Sequence, residues 1–562
     1  MTDTAGAGFR PWQRPTAGDH NAQTPERDQQ KAPDQPEGAR QQKVQNVVAD
    51  VLDRTHRAVN EARETRVTQE GLESALKAAQ KVEHGNGELR VGTLTLPVPS
   101  DKAAELTILR PQEEVIRSLA DVLKSGVPAL VSLPEGVDGG ATARWFFEVA
   151  GTPYRHQRIS RITSLDSLAG ALRPDAQGRL RVHHGPLTEC IMNGGVFVAE
   201  CLEQAEKDVL AILSGLAKGV AEFHHPVSGK IVPVHPDFRL VLMTSNRARC
   251  SAELTSVCAL TEVSAYTRDD HVRLLSERVG ISRALASKLA DKHETIKAGQ
   301  TSDQPEQQID FGRGFPLAYP MLERVARRLK NLPTPQPQDI SNAIWGIYGT
   351  RLASEGSQAA LRAVITNDGH PAPQPLTAAT PDGGWTPIGA QVEAMAQAEA
   401  AHLAGEPVMF TAPGQAGSTS LVNELARRFG RDLVTVTCHP GVDPQSLIER
   451  PVFKKDGSVE FVPGVITDAL LNGKILYFDH IDHLSLERQE ALIRLVEKTS
   501  LTIMKDGQAV TVPVHPESRI YFSATAGADR TRRTPPARER ALLTEIRFDS
   551  PSLSDAFSLI PA

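Results

Sequence analysis

Along the first 40 residues apolar side chains are almost missing among Pro, Gln, Asp, Gly and Arg. Such a stretch cannot bury enough surface to offset the entropy of ordering, so it predicts a disordered tail. Beyond it Val47, Val48, Val51, Leu52, Ala58, Val59 and Ala62 recur at helical spacing, and Leu72, Ala75, Leu76 and Ala79 repeat the pattern. Two amphipathic helices follow from this, and we take 41–105 as an N-terminal helical segment that docks on the next domain or on a partner.

From about residue 106 the pattern changes to short apolar runs alternating with amphipathic stretches, and it does so twice. NGGVFVAECLEQA at 193–205 answers NGKILYFDHIDHL at 472–484, and IVPVHPDFRLVLMTSN at 231–246 answers TVPVHPESRIYFSATA at 511–526. PALVSLPEGVDGGATARWFFEVAG (128–151) lies opposite PVMFTAPGQAGSTSLVNELARRFG (407–430), and LTEV (260–263) opposite LTEI (543–546). Four blocks in one order at a nearly constant offset predict two copies of one α/β module. Each copy runs strand, Gly/Pro turn, helix, strand, then an apolar strand ending in an acidic residue, a helix, a hairpin and a further strand. That alternation implies a parallel sheet covered on both faces. The expected organisation is therefore a first α/β module at 106–265, a helical lid at 266–365, a Pro- and Gly-rich linker at 366–384, and a second module without a lid at 385–562.

A length of 562 residues, 40% hydrophobic and 23% charged, fits several globular domains. The net charge of -6 gives no overall drive toward nucleic acid or anionic membrane. Five cysteines, none in a C-x-x-C pair, argue against a disulfide framework or structural zinc. There is no apolar leader and no run of 18 apolar residues, so the expectation is a cytoplasmic protein that does not meet a membrane.

A nucleoside triphosphate site needs a Gly-rich loop offering backbone N–H groups to phosphates, a Lys for the outer phosphates, a Ser/Thr hydroxyl for magnesium, and an acidic residue at a strand end. The blocks above, above all VHPDFRLVLMTSN after a strand introduced by Gly-Gly, resemble AAA+ ATPases of the midasin, dynein-related and MoxR-type branch. The resemblance implies two P-loop NTPase modules with Rossmann-like sheets, ATP and magnesium at subunit junctions, ring assembly with AAA+ subunits or with further copies of the chain, and remodelling of protein partners. Matched onto the branch's G-x-x-x-x-G-K-[ST], Gly140 and Thr142 stand in place in the first module, with Ala141 at the Lys. In the second module Gly417 and Thr419 match, with Ser418 at the Lys.

At the acidic strand ends the first copy reads Glu200-Cys201 and the second Asp479-His480, so the catalytic Glu of the branch is missing twice. The sensor-1 Asn is kept as Asn246 and is Thr525 in the second copy. Ala318 replaces the sensor-2 Arg in FPLAYP. No Arg aligns with the branch's arginine finger, although Arg530, Arg532, Arg533, Arg538 and Arg540 lie just before LTEI as candidates to act on a neighbouring site.

The missing Lys costs about 1.5–3 kcal/mol of charge-assisted bonding, and a missing water-activating group a further ~10²–10⁴ in rate. We therefore expect a protein with degenerate ATP sites, a scaffold or regulatory subunit and not a motor. No nucleotide is expected in the first module, where Glu200 is the remaining metal-facing carboxylate. The second could take ATP or ADP, with Asp479 and Thr419 as its magnesium ligands and His480 as a weak candidate base. The alternative is an ATPase in which a neighbour completes the second site. Nucleic acid is not an expected partner. His183-His184, His224-His225 and the group Asp479, His480, Asp482, His483 are read as polar turns, with metal binding as the less favoured reading, and Cys201 as a residue without a nucleophile's partners.

Overall fold

The computed structural model describes residues 82–557, apart from short stretches at 86, 104, 162, 175–179, 248–249, 313, 331, 377–384, 454, 456–458, 498–499, 506–507 and 527–532. The tail and the two helices expected before residue 80 lie outside the described residues. Where the expected N-terminal helical segment continues, the chain instead forms a three-stranded antiparallel meander, β1 (Val82–Gly85), β2 (Glu88–Val91) and β3 (Leu94–Pro97). Alternation explains the difference. Leu89 and Val91 face inward while Glu88 and Arg90 face out, and Gly92 at φ 59° turns the chain between β2 and β3.

The first module opens with α1 (Arg110–Ser125), whose buried stripe Val115, Ile116, Leu119 and Val122 packs on the sheet. The order continues through β4 (Ala129–Ser132), α2 (Gly139–Val149), β5 (Tyr154–Arg158), β6 (Gly195–Glu200), β7 (Phe238–Thr244) and β8 (Ala259–Glu262). The five strands pair in parallel in the spatial order β8-β4-β7-β6-β5. All residues of β6 but the first are buried, as a parallel strand covered on both faces requires.

Next come the lid helices α3 (Arg268–Leu274), α4 (Arg283–Gln300), α5 (Tyr319–Lys330), α6 (Pro337–Ile344) and α7 (Glu355–Thr366), sharing one apolar core. The second module follows with α8 (Ala390–Leu403), β9 (Val408–Ala412), α9 (Ser418–Arg428), β10 (Leu433–Thr437), β11 (Ile475–Asp479), β12 (Arg519–Thr525), α10 (Ala537–Ala541) and β13 (Thr544–Arg547). Its order, β10-β11-β12-β9-β13, is that of the first sheet read from the other edge. Each module also carries a hairpin between its second and third sheet strands, Gly170–Pro174 with Leu180–His184 and Glu449–Phe453 with Val459–Pro463, which the hydrophobic pattern did not announce.

The lid does more than cover the first module. Arg324 donates to the carbonyls of Ala541 and Leu542, both at 2.7 Å, and Arg351 to that of Leu543 at 2.9 Å. Arg328 forms a bidentate pair with Glu406, with side chains only 8% and 2% exposed. The lid of the first module is thus also the floor on which the edge strand β13 of the second rests.

Candidate functional site

In the first module the loop after β4 enters α2 with Asp138 as its cap. The Asp138 carboxylate accepts from the backbone N–H of Ala141 at 2.7 Å. That N–H belongs to the position a P-loop Lys would occupy, so a fixed carboxylate already satisfies a donor that would meet a phosphate. Thr142 is fully buried and its hydroxyl donates back to the Asp138 carbonyl at 2.9 Å. Glu200, at the end of β6, bonds His156 at 3.0 Å and crowds the helix start: a Cβ at Gly140 would lie 2.7 Å from its Oε2. Burial alone would raise the Glu200 pKa, but the His156 hydrogen bond and the Arg158 charge hold it below the ordinary carboxylate value.

A cavity of about 240 Å³ adjoins this loop, and residues of the second module form part of its wall. Arg158 at the end of β5 pairs with Glu497 at 2.9 Å, and Arg494 pairs with Glu539 at 2.9 Å. Arg538, from α10, reaches Glu203 at 3.0 Å and Glu135 at 3.5 Å. Glu203 in turn accepts from Thr244 at 2.9 Å and Ser245 at 2.6 Å. Burial opposes ionisation of Glu203, yet these bonds keep it charged, with a lowered pKa. Cys201 lines the cavity with its thiol pushed up to about 11, chiefly by burial, so it is no nucleophile at neutral pH. Ala318, at the expected sensor-2 place, does face this cavity.

The residues singled out from sequence are sorted unevenly. Gly140 and Thr142 sit behind Asp138 and Glu200, and Asn246 is exposed while Thr244 and Ser245 line the cavity. Of the arginines, Arg530 and Arg532 lie outside the described residues. Arg533 is exposed, with its backbone N–H on the Asp482 carbonyl. Arg540 folds back onto Glu545 of its own module, its Nη2 and Nε both donating to Oε2 at 2.6 and 3.0 Å. Among the described members of this group, Arg538 is the one that enters the cavity beside the first loop, where Arg494 of the second module also stands. Arg158, Arg494, Glu497 and Asp138 were not picked out from the sequence. Asp138 carried a readable signal, an Asp three residues before the N–H it caps.

The second loop is built differently. α9 begins at Gly417, φ 92°, with no side-chain cap on its first turn, and Gly414 and Gln415 are exposed. Buried Gln391 of α8 pins the loop by donating to the Ala416 carbonyl at 2.8 Å, another residue missed in the sequence. Thr419 donates to Asp479 at 3.1 Å, joining helix start to strand end as a magnesium site would require. Asp479 also accepts from Ser523 (2.6 Å), Tyr477 (2.7 Å) and His480 Nδ1 (2.8 Å). Burial would raise its pKa, but the Ser523 and Tyr477 bonds lower it, so the carboxylate stays ionised.

His480 stands at φ 62°, as Cys201 does at 61°, so both copies turn sharply after the acidic residue. Its ring is engaged with Asp479 and edge-on to His483 at 5.3 Å. Among the described residues Asp479, His480, Asp482 and His483 do not bring three donor atoms together, nor do the paired histidines 183–184 and 224–225. No helix among the described residues is long and apolar enough to cross a membrane.

Comparison with known proteins finds likenesses for this second module. Residues 412–537 match the AAA domain of the dynein-related subfamily. The chain is 28% identical over 165 residues to protein NorQ of Paracoccus denitrificans, covering 29% of this chain and 60% of that protein. It is 26% identical over 155 residues to the denitrification regulatory protein NirQ of Pseudomonas aeruginosa, covering 27% and 58%. With midasin of Dictyostelium discoideum it shares 26% identity over 115 residues, 20% of this chain and 2% of that one. The chain thus spans under two thirds of the length of these relatives. With two parallel five-stranded modules and the dynein-related match at 412–537, the chain resembles AAA+ ATPases of the branch that holds the MoxR-type relatives and midasin.

Proposed function

We propose that this AAA+ protein is a non-hydrolysing scaffold or regulatory subunit of a protein assembly, whose first nucleotide site has become an internal joint and whose second is the one place left for ATP or ADP with magnesium. The observation that carries the reading is the contrast between two helix starts. α2 is capped by the Asp138 carboxylate at 2.7 Å, whereas α9 has no side-chain cap. A phosphate brought to α2 would meet Asp138 and Glu200. Two unit charges about 4 Å apart repel by about 4 kcal/mol at an effective dielectric constant of about 20. That exceeds the ~1.5–3 kcal/mol a single charge-assisted bond returns. The residues of the first module therefore do not fit a triphosphate, and no step is derived through one there.

The second module fits better. Backbone donors at the start of α9 would hold phosphate oxygens, and Thr419 and Asp479 would hold magnesium. When bound, nucleotide and metal would supply a charged ligand that orders the loop between β9 and α9. Of the chain's own groups, Ser418 cannot replace a Lys charge. His480 Nδ1 lies 2.8 Å from the Asp479 carboxylate, a contact that orients the ring. Lacking a catalytic carboxylate, the site supports binding far better than turnover.

The experiment is a comparison of wild type with Ser418→Lys. Wild type should release no phosphate from ATP above background. Ser418→Lys should bind Mg·ATP about ten- to a hundredfold more tightly, the equivalent of one restored charge-assisted bond. Sustained turnover by the wild-type chain alone would overturn the proposal in favour of a working ATPase.

A further inference from the structure

The lid brings together three metal-ligating side chains that neither nucleotide pocket uses. His271 lies on α3, His293 and Glu294 on α4, and one donor atom from each stands within 4.8 Å of the other two. His271 is 5% exposed, and its Nδ1 is buried without a hydrogen-bond partner. Glu294 Oε1 is 3.6 Å away, beyond hydrogen-bond reach. A buried ring nitrogen left in this state destabilises the fold unless something occupies the gap it faces.

Both rings are already held in orientation. His271 stacks on Tyr319 with centroids 5.9 Å apart and meets the edge of His293 at 5.4 Å. His293 is 1% exposed, and its Nδ1 lies 2.8 Å from the Tyr348 hydroxyl. Its Nε2 is therefore the nitrogen left to offer. A histidine fixed through its far nitrogen is the arrangement that outer-shell partners give to metal ligands. Glu294 is 40% exposed, so it supplies both a negative charge and an entry path from solvent.

We propose that His271, His293 and Glu294 bind one zinc-type divalent ion that ties α3 to α4. Two imidazoles and one carboxylate form a donor set suited to zinc, cobalt or nickel and not to magnesium or calcium. With bonds of about 2.0–2.1 Å, a tetrahedral ion holds its donors about 3.3–3.4 Å apart. His271 Nδ1 and Glu294 Oε1 are near that separation now, and side-chain rotation of about an ångström closes the rest. Water takes the fourth position. The site stands in the lid whose Arg324, Arg328 and Arg351 carry the second module, so the ion would stiffen the platform between the modules without touching either nucleotide loop.

The test uses the full chain, stripped of metal and titrated with zinc by calorimetry, with cobalt(II) as a spectroscopic substitute. One zinc should bind per chain, cobalt should give the visible bands of a four-coordinate ion, and zinc should raise the unfolding temperature. Glu294→Gln, half-exposed and harmless to the core, should weaken zinc by about tenfold or more, and His271→Asn should remove binding. If His271→Asn fails to fold, Glu294→Gln decides alone. Absence of stoichiometric zinc, or zinc uptake that Glu294→Gln leaves unchanged, overturns the site and leaves His271 and Glu294 as neighbours without a ligand between them.

Discussion

Arg538 of the second module bonds Glu203 of the first at 3.0 Å, although 335 residues separate them in sequence. Glu203 is 3% exposed and is fixed in turn by Thr244 and Ser245, so the arginine meets a rigid, charged acceptor. The two modules are thereby joined across the cavity beside the first loop.

Replacing Arg538 by Ala should therefore loosen the junction. It leaves Glu203 with its two hydroxyl donors but without a cation, at a cost of about 1.5–3 kcal/mol of unfolding free energy. Denaturant unfolding should show this loss, while nucleotide binding at the second loop, built from other residues, stays unchanged.

Glu406 offers a sharper stability test. The Arg328–Glu406 pair is almost wholly buried, and removing one partner strands the other, so Glu406→Gln should lower stability by about 3–5 kcal/mol. Thr544, whose hydroxyl also donates to Glu406 Oε2 at 2.7 Å, would have to share with Arg328 the single amide oxygen that remains in the same variant. Thermal unfolding should show the second module released from the lid before the rest of the chain unfolds.

The capping carboxylate of α2 can be exchanged for a phosphate cradle. Asp138→Gly together with Ala141→Lys removes the charge at the helix start and restores the cation, and Mg·ATP binding should then become measurable at the first module. The same pair of changes should lower stability by about 1 kcal/mol or less, the usual loss for a cap replaced by Gly. Calorimetry with the second loop disabled isolates the effect.

His402 predicts a pH dependence. Its ring stacks on Phe429 with centroids 3.8 Å apart, and burial, then the nearby Arg519 and Arg431 charges, lower its pKa from 6.5 to about 4. Below pH 6.5 the unfolded chain takes up a proton that the folded chain refuses until about pH 4. Stability should therefore fall through this window, by up to about 1.4 kcal/mol per pH unit from this group. His402→Gln should flatten that limb in urea unfolding between pH 4 and pH 6.5.

Much of this architecture was legible because it rests on local pattern and repetition. The runs ending at Glu200 and Asp479 are β6 and β11, and the two sheets share one order because the sequence carries two similar sets of blocks. The β1–β3 meander was missed because its strands are four residues each, too short to outweigh the helical spacing before them. The site was less legible for a different reason. Asp138, Arg158, Glu203, Arg494, Glu497 and Arg538 meet only after distant segments pack, and nothing in the spacing of any one of them points to its partner. The motif positions mark where a phosphate would go, and only the three-dimensional structure sets the Asp138 carboxylate on the backbone N–H at that place.

Titration of the full chain with Mg·ATP by calorimetry, alongside the isosteric Thr419→Val and Thr142→Val variants, tests the central claim most directly. One site per chain, weakened or lost in Thr419→Val and unchanged in Thr142→Val, is the predicted result. Two sites per chain, or binding that Thr142→Val removes and Thr419→Val spares, would contradict the assignment of nucleotide to the second module, and no binding at millimolar nucleotide would leave both modules as scaffold alone.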